Sequence, residues 1–178
     1  MKKSVLLLFF AGCVATGIFG IGRKIPMNRV NDLGQREGYW RDSVGGGFVY
    51  DLYYKGGKKD GLYKRFYRNK LFLFGEYTAD NMSGTWYMFG DEGELRCTID
   101  SIEFNKDSIY TGYPCCRIFC KYKCYCADYY PSGAVKSEGY MVCDEDFMVD
   151  FWEIGEWKYY DESGNLIKTK DYGDRRTP

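Results

Sequence analysis

Gly61-Leu62-Tyr63-Lys64-Arg65-Phe66-Tyr67-Arg68-Asn69-Lys70-Leu71 is the stretch that decides the fold. Its opening triplet, a glycine, one residue and an aromatic, recurs as Gly38-Tyr39-Trp40 and Gly84-Thr85-Trp86, each copy 23 residues from the next. A fourth copy, Gly155-Glu156-Trp157, follows the third after 71 residues, three periods plus two. The match spreads outward from the triplets. Gly34, Gly57 and Asp80 stand four positions upstream, and Tyr54 and Tyr77 seven upstream. Phe66, Phe89 and Tyr160 come three past the aromatic, while Phe48, Leu71, Leu95 and Leu166 lie ten or eleven beyond the glycine. Self-similarity at such a period denotes a chain of stacked supersecondary units. The residues expected to carry the repeat are Gly38, Trp40, Gly61, Tyr63, Gly84, Trp86, Gly155 and Trp157.

The punctuation between copies is that of hairpins. Arg68-Asn69-Lys70, Gly90-Asp91-Glu92-Gly93, Pro131-Ser132-Gly133 and Asp161-Glu162-Ser163-Gly164 are turn chemistry, because Asn, Asp and Gly tolerate positive φ and Pro presets its own. Leu71, Leu95, Val135 and Leu166 then restart a strand. One repeat therefore reads as strand, tight turn, strand, loop, with strands of about 5–6 residues. Successive hairpins are expected to pair edge to edge in one twisted antiparallel meander, an all-β fold, preceded by an N-terminal hydrophobic helix. The aromatics are expected to start the strands and to stack at equivalent places, and the glycines to let backbones approach closely. Residues 1–24 form a targeting or anchoring segment and residues 25–178 the repeat domain. The pattern decays over 96–154, where only Tyr129-Tyr130-Pro131-Ser132-Gly133 aligns visibly, with Tyr159-Tyr160-Asp161-Glu162-Ser163-Gly164. That decay is either an inserted functional surface or drift.

Gly38-Tyr39-Trp40, Gly61 to Leu71, Gly84 to Leu95 and Gly155 to Leu166 together resemble the MORN-variant repeat proteins of bacteria, often labelled YwqK-like antitoxins. The resemblance covers about half of the chain beyond residue 24. It implies a MORN-like hairpin repeat and a role in protein or membrane association.

Composition narrows the functional classes. Lys+Arg and Asp+Glu are 25 each, so the basic surplus that nucleic-acid binding needs is missing. Aromatics make up 19% of the 178 residues against four prolines, which suits half-buried sheet faces. Histidine is absent, which removes Ser-His-Asp and Cys-His catalysis and every His-containing metal site.

Met1-Lys2-Lys3 precedes an uncharged run from Ser4 to Gly22 that ends at Arg23-Lys24. Three readings stand. Ala15-Thr16-Gly17 offers the small residues of a cleaved signal peptide. Phe10-Ala11-Gly12-Cys13 resembles a lipobox, which makes Cys13 a candidate lipidation site. A run of this length also spans a bilayer core as an anchor, since about 18 apolar residues suffice. All three place the domain outside the cytoplasm, in the cell envelope.

Five of the eight cysteines sit together: Cys115, Cys116, Cys120, Cys124 and Cys126. Their spacing is not that of paired CxxC knuckles, so neither a metal nor another cofactor is expected. Parity suggests one strand from Cys116 to Cys126, with Cys116, Ile118, Cys120, Tyr122, Cys124 and Cys126 on the buried face as small or apolar fillers. If the domain is exported, disulfides gain weight. Neighbours two apart on a strand are poorly placed to bridge each other, so Cys120, Cys124 or Cys126 would reach Cys97 or Cys143 on adjacent strands. Asp144-Glu145-Asp146 with Asp150 and Glu153 is the densest carboxylate group and the alternative for catalysis or calcium, but it carries no EF-hand spacing. Tyr39, Tyr67, Tyr87, Tyr129 and Tyr160 are candidates for exposed recognition rings or for cross-strand ladders.

The expected function is thus a membrane-tethered, non-catalytic binding or scaffold module with a protein partner. An antitoxin or immunity-type inhibitor capping a toxin comes second, and a carboxylate-dependent hydrolase third. Full-length protein is expected to fractionate with membranes, and deletion of residues 1–22 to release a soluble domain. Cys13→Ser separates two of the readings: it abolishes a lipid anchor and leaves a spanning helix unaffected. Recovery of the intact chain in the soluble cytoplasmic fraction would overturn the assignment.

Overall fold

The computed structural model describes residues 26–106, 110–111, 118–144 and 151–173. They form thirteen strands: β1 (Arg29–Val30), β2 (Arg36–Val44), β3 (Phe48–Lys55), β4 (Lys58–Tyr67), β5 (Lys70–Thr78), β6 (Asn81–Phe89), β7 (Leu95–Phe104), β8 (Tyr110–Thr111), β9 (Ile118–Phe119), β10 (Tyr122–Tyr129), β11 (Val135–Cys143), β12 (Phe151–Tyr160) and β13 (Leu166–Asp171). Eleven of them make one open antiparallel sheet in the order β1-β2-β3-β4-β5-β6-β7-β10-β11-β12-β13, and β8 pairs with β9 alone. The all-β, single-sheet meander expected from the repeat is therefore the fold. Among the described residues no helix is long and apolar enough to cross a membrane. The expected apolar helix, residues 1–24 and Cys13 lie outside the described residues.

The period of 23 has a direct structural meaning. β4 supplies ten residues, Arg68-Asn69 two, β5 nine and Ala79-Asp80 two. Both turns have positive φ at both central residues (47° and 65°, then 49° and 69°), the two-residue geometry whose twist matches that of the strands it joins. The loop expected once per repeat is thus a second tight turn, and the strands are longer than the five or six residues expected. A different five-residue turn recurs at Asn31–Gln35, Gly90–Glu94, Tyr130–Ala134 and Asp161–Asn165. In each, the first N–H donates to the fifth carbonyl and the glycine N–H donates back to the first carbonyl, over 2.9–3.1 Å. The Tyr130 copy lies inside 96–154, at the stretch whose residues still align there, and its backbone keeps the same turn.

The glycine-aromatic triplets do not start strands. They sit three to five residues inside β2, β4, β6 and β12, and those in β4, β6 and β12 lie on bulges. In β6, Ser83 faces Glu76 and Tyr87 faces Phe74, so three residues stand opposite Gly75 alone. Gly84 takes φ +63°, and a Cβ there would meet nothing within 4 Å. Backbone conformation, not crowding, requires the glycine. Close approach of a tryptophan ring is met by two other glycines, Gly75 and Gly139. A Cβ on Gly75 would clash with the Trp86 ring, and one on Gly139 would lie 2.5 Å from Trp157.

Most of the core collects on one face of the sheet. Trp86 is buried there with Leu52, Leu73, Tyr77, Met82 and Ile99. Its ring meets Tyr77 edge-on at 5.1 Å and Tyr63 at 5.5 Å, and its indole N–H donates to the Ser83 carbonyl at 3.2 Å. The expected stacking of all four repeat aromatics is only partly realised. Tyr63 and Trp86 touch, whereas Trp40 packs on Tyr54 at 5.9 Å and Trp157 on Tyr172 at 6.4 Å. Leu166 starts β13 as expected but is exposed.

Removing a ring of this size from water contributes on the order of 4–6 kcal/mol by area. Trp86→Ala is expected to cost about 3–5 kcal/mol and Gly75→Ala about 1–3 kcal/mol in denaturant unfolding. The double variant should be clearly less destabilised than the two single losses added together, because the new methyl then occupies the space the ring has left. Additive losses would show that the ring and the glycine are not in contact.

Candidate functional site

β10 runs between β7 and β11 and brings the cysteines to the core. Cys124 and Cys126 alternate with the half-buried Lys123 and Tyr125, as parity expects, and share their face with Cys97 and Cys143. Cys97 Sγ lies 3.3 Å from Cys126 Sγ, and Cys124 Sγ lies 3.6 Å from Cys143 Sγ. All four are free thiols, and each pair joins β10 to a neighbouring strand, the cross-strand relation anticipated for disulfide partners. Cys120 departs from that expectation. No continuous strand links it to Cys126, because pairing is interrupted at Cys120-Lys121 before β10 begins. Its side chain packs instead with Val142 and Ile154 in a separate cluster. Val142 pairs with Lys123 and Met141 with Cys124, which puts Cys120 on the opposite side of the sheet from the four thiols. Cys115 and Cys116 lie outside the described residues.

Beside the Cys97–Cys126 pair the core face opens into a cleft of about 480 Å³, whose walls include Met88, Met141, Trp157 and Glu153. Asp128, the register partner of Cys97, reaches the same point. Its Oδ2 accepts a 3.0 Å hydrogen bond from Ser137 Oγ, and Ser137 is buried. Neither Asp128 nor Ser137 stood out in the sequence, since strand spacing alone does not reveal which residues two strands bring opposite each other. Of the carboxylate group, Asp144 and Glu153 are described, while Glu145, Asp146 and Asp150 lie outside the described residues.

The tyrosines expected to be exposed are mostly held. Tyr39 pairs with Tyr53 at 5.7 Å, Tyr67 with Phe48 at 4.8 Å and Tyr87 with Phe74 at 6.1 Å. Tyr129 shares a 3.1 Å hydrogen bond with Thr98, and Tyr160 donates one of 2.7 Å to Glu138. Tyr53, Leu62 and Tyr140 are among the exposed large apolar residues, at 41%, 48% and 46% exposure. They share the face opposite the thiols, as their registry with Tyr39, Glu76 and Tyr125 fixes.

Electrostatics at the thiols favour the protonated form. The hydrogen bond with Cys143, then burial, pushes Cys124 up, and the bond with Cys97, then burial, pushes Cys126 up. On the other face, burial and then the charge of Glu138 push Tyr125 up to about 12. No protein family, curated protein or solved structure matches the chain in comparison.

These raised values link stability to alkaline pH. Below the ordinary thiol and phenol ranges both the folded and unfolded chains hold their protons, and the contribution is complete. Above them the unfolded chain releases protons that the folded one retains, so stability falls. The melting temperature is expected to decline from about pH 9 upward. Tyr125→Phe should flatten the part of that decline lying between the ordinary tyrosine value of 10.0 and about 12. An unchanged slope in the variant would mean that Tyr125 titrates alike in both states.

Proposed function

We propose that the chain is an exported, membrane-tethered β-repeat protein of the MORN-like kind, acting as a non-catalytic binding or scaffold module for a protein partner. The observation that carries this reading is the row of cross-strand aromatic pairs on the face opposite the thiols. Tyr39–Tyr53, Phe74–Tyr87 and Tyr125–Tyr140, the last at 5.2 Å and 80°, recur along the sheet with Leu62 between the first two. Pairing holds each ring in place, so little side-chain entropy remains to be lost on docking, and the rings present apolar area with polar tips. Rigid tyrosines of this kind are the residue type that anchors protein interfaces. The apolar run at 4–22 supports the tether and the envelope location.

Affinity capture from native membranes with the full-length protein tests this. The variant Tyr53→Ala with Tyr140→Ala should lose on the order of tenfold or more of the captured partner while keeping its β-sheet circular dichroism. Undiminished capture by that variant would remove the aromatic face from the function. A toxin as the captured protein would favour the inhibitor reading, and an envelope protein the scaffold reading.

A further inference from the structure

We propose that Cys97, Cys126 and Asp128 form a binding site for a thiophilic divalent metal ion, with zinc as the reference ion, whose fourth coordination position faces the cleft. One ligand atom from each residue can be chosen so that all three lie within 4.8 Å of one another. Two thiolates and a carboxylate are a donor set suited to such an ion, and three protein ligands with one open position describe an accessible site, not a closed structural one. Bonds of about 2.3 Å at tetrahedral angles hold two sulfurs about 3.8 Å apart. The present 3.3 Å between Cys97 Sγ and Cys126 Sγ therefore needs to widen by only about half an ångström.

Register argues for an ion over a disulfide. Cys97 faces Asp128 and Cys126 faces Ile99, so the two cysteines are diagonal neighbours. Diagonal positions across an antiparallel pair stand about 7–8 Å apart, beyond the usual reach of a disulfide, whereas a bridging ion adds two bonds of length. Two further features fit. Ser137 Oγ already donates to Asp128 Oδ2, leaving Oδ1 for the ion and fixing the carboxylate's orientation. Arg96 and Lys136 line the same cleft, so the surplus negative charge of two thiolates and a carboxylate around a dication has cations nearby.

The spacing of residues 115–126 did not disclose this site because Cys97 comes from another strand, 29 residues from Cys126. The proposal is independent of the aromatic face and of the tether. Metal uptake and partner capture can fail separately.

The test uses the full-length protein in detergent, reduced, stripped by chelator and titrated with Co²⁺ alone, then with Zn²⁺. About one equivalent of Co²⁺ should bind, with a thiolate-to-cobalt charge-transfer band and tetrahedral visible bands that Zn²⁺ displaces. Cys97→Ser and Cys126→Ser should each diminish the charge-transfer band, and Asp128→Asn should weaken affinity by about tenfold or more while leaving the fold intact. Cys120→Ser, on the opposite face, should leave the spectrum unchanged. Should the cysteine variants fail to fold, Asp128→Asn carries the test. Absence of the band, its loss in Cys120→Ser, or its persistence at full affinity in Asp128→Asn would overturn the proposal. So would protein isolated with a Cys97–Cys126 disulfide that takes up no metal once reduced.

Discussion

A large ring laid over a glycine on the next strand is the contact on which this sheet depends. Among the described residues no second layer covers the apolar face of the sheet, so its side chains cover one another. Trp86 achieves this by lying across Gly75, and Trp157 by lying across Gly139. Both are nearly fully buried, at 1% and 3% exposure. Two backbone conditions make the arrangement possible. The neighbouring strand must lack a Cβ at that point, and the ring's own strand must be bent so that the indole lies flat. The bulge at Gly84, at positive φ, accompanies the second condition, and the one at Gly155 does so for Trp157. In each case the indole N–H finds a carbonyl, Ser83 for Trp86 and Tyr140 for Trp157, so burial leaves no donor unpaired.

This also explains which parts of the fold were legible. The triplet is local: the glycine that permits the bulge and the aromatic it aims are two residues apart, and every copy shows both. The turn residues are equally local, as Asn69, Gly93, Gly133 and Gly164 show by taking positive φ in the turns expected of them. The glycine beneath the ring was not legible in the same way. Gly75 precedes its tryptophan by 11 residues, whereas Gly139 precedes its own by 18, since the connection from β11 to β12 is longer. The intervening turn sets that offset, and turns differ in length around the sheet.

The site follows the same division. Parity correctly placed Cys124 and Cys126 on one face because they lie in one uninterrupted strand. It failed for Cys120 because the pairing break at Cys120-Lys121 resets the alternation, and nothing in the residue types marks that break. Asp128 and Ser137 were beyond parity altogether. They meet Cys97 and Cys126 through the registers of β7, β10 and β11, which tertiary pairing sets and local spacing does not.

Packing offers a reason for so many small thiols at this place. Along β10 the core face carries Cys124 and Cys126 beside Tyr122, a ring long enough to reach over β7 to β6. There the Tyr122 oxygen accepts a 3.1 Å hydrogen bond from the Met82 N–H. A ring that spans a strand in this way needs low neighbours, and cysteine is small, apolar and content with burial. Larger residues at 124 and 126 would lift the covering side chains off the sheet and reopen the face to water. The thiol pairs are thus where the packing requirement of a one-layer core and the chemistry of sulfur coincide. Among the described residues it is at Cys97 and Cys126 that a carboxylate joins the thiols at an open cleft, while Cys124 and Cys143 are fully buried at 0% exposure.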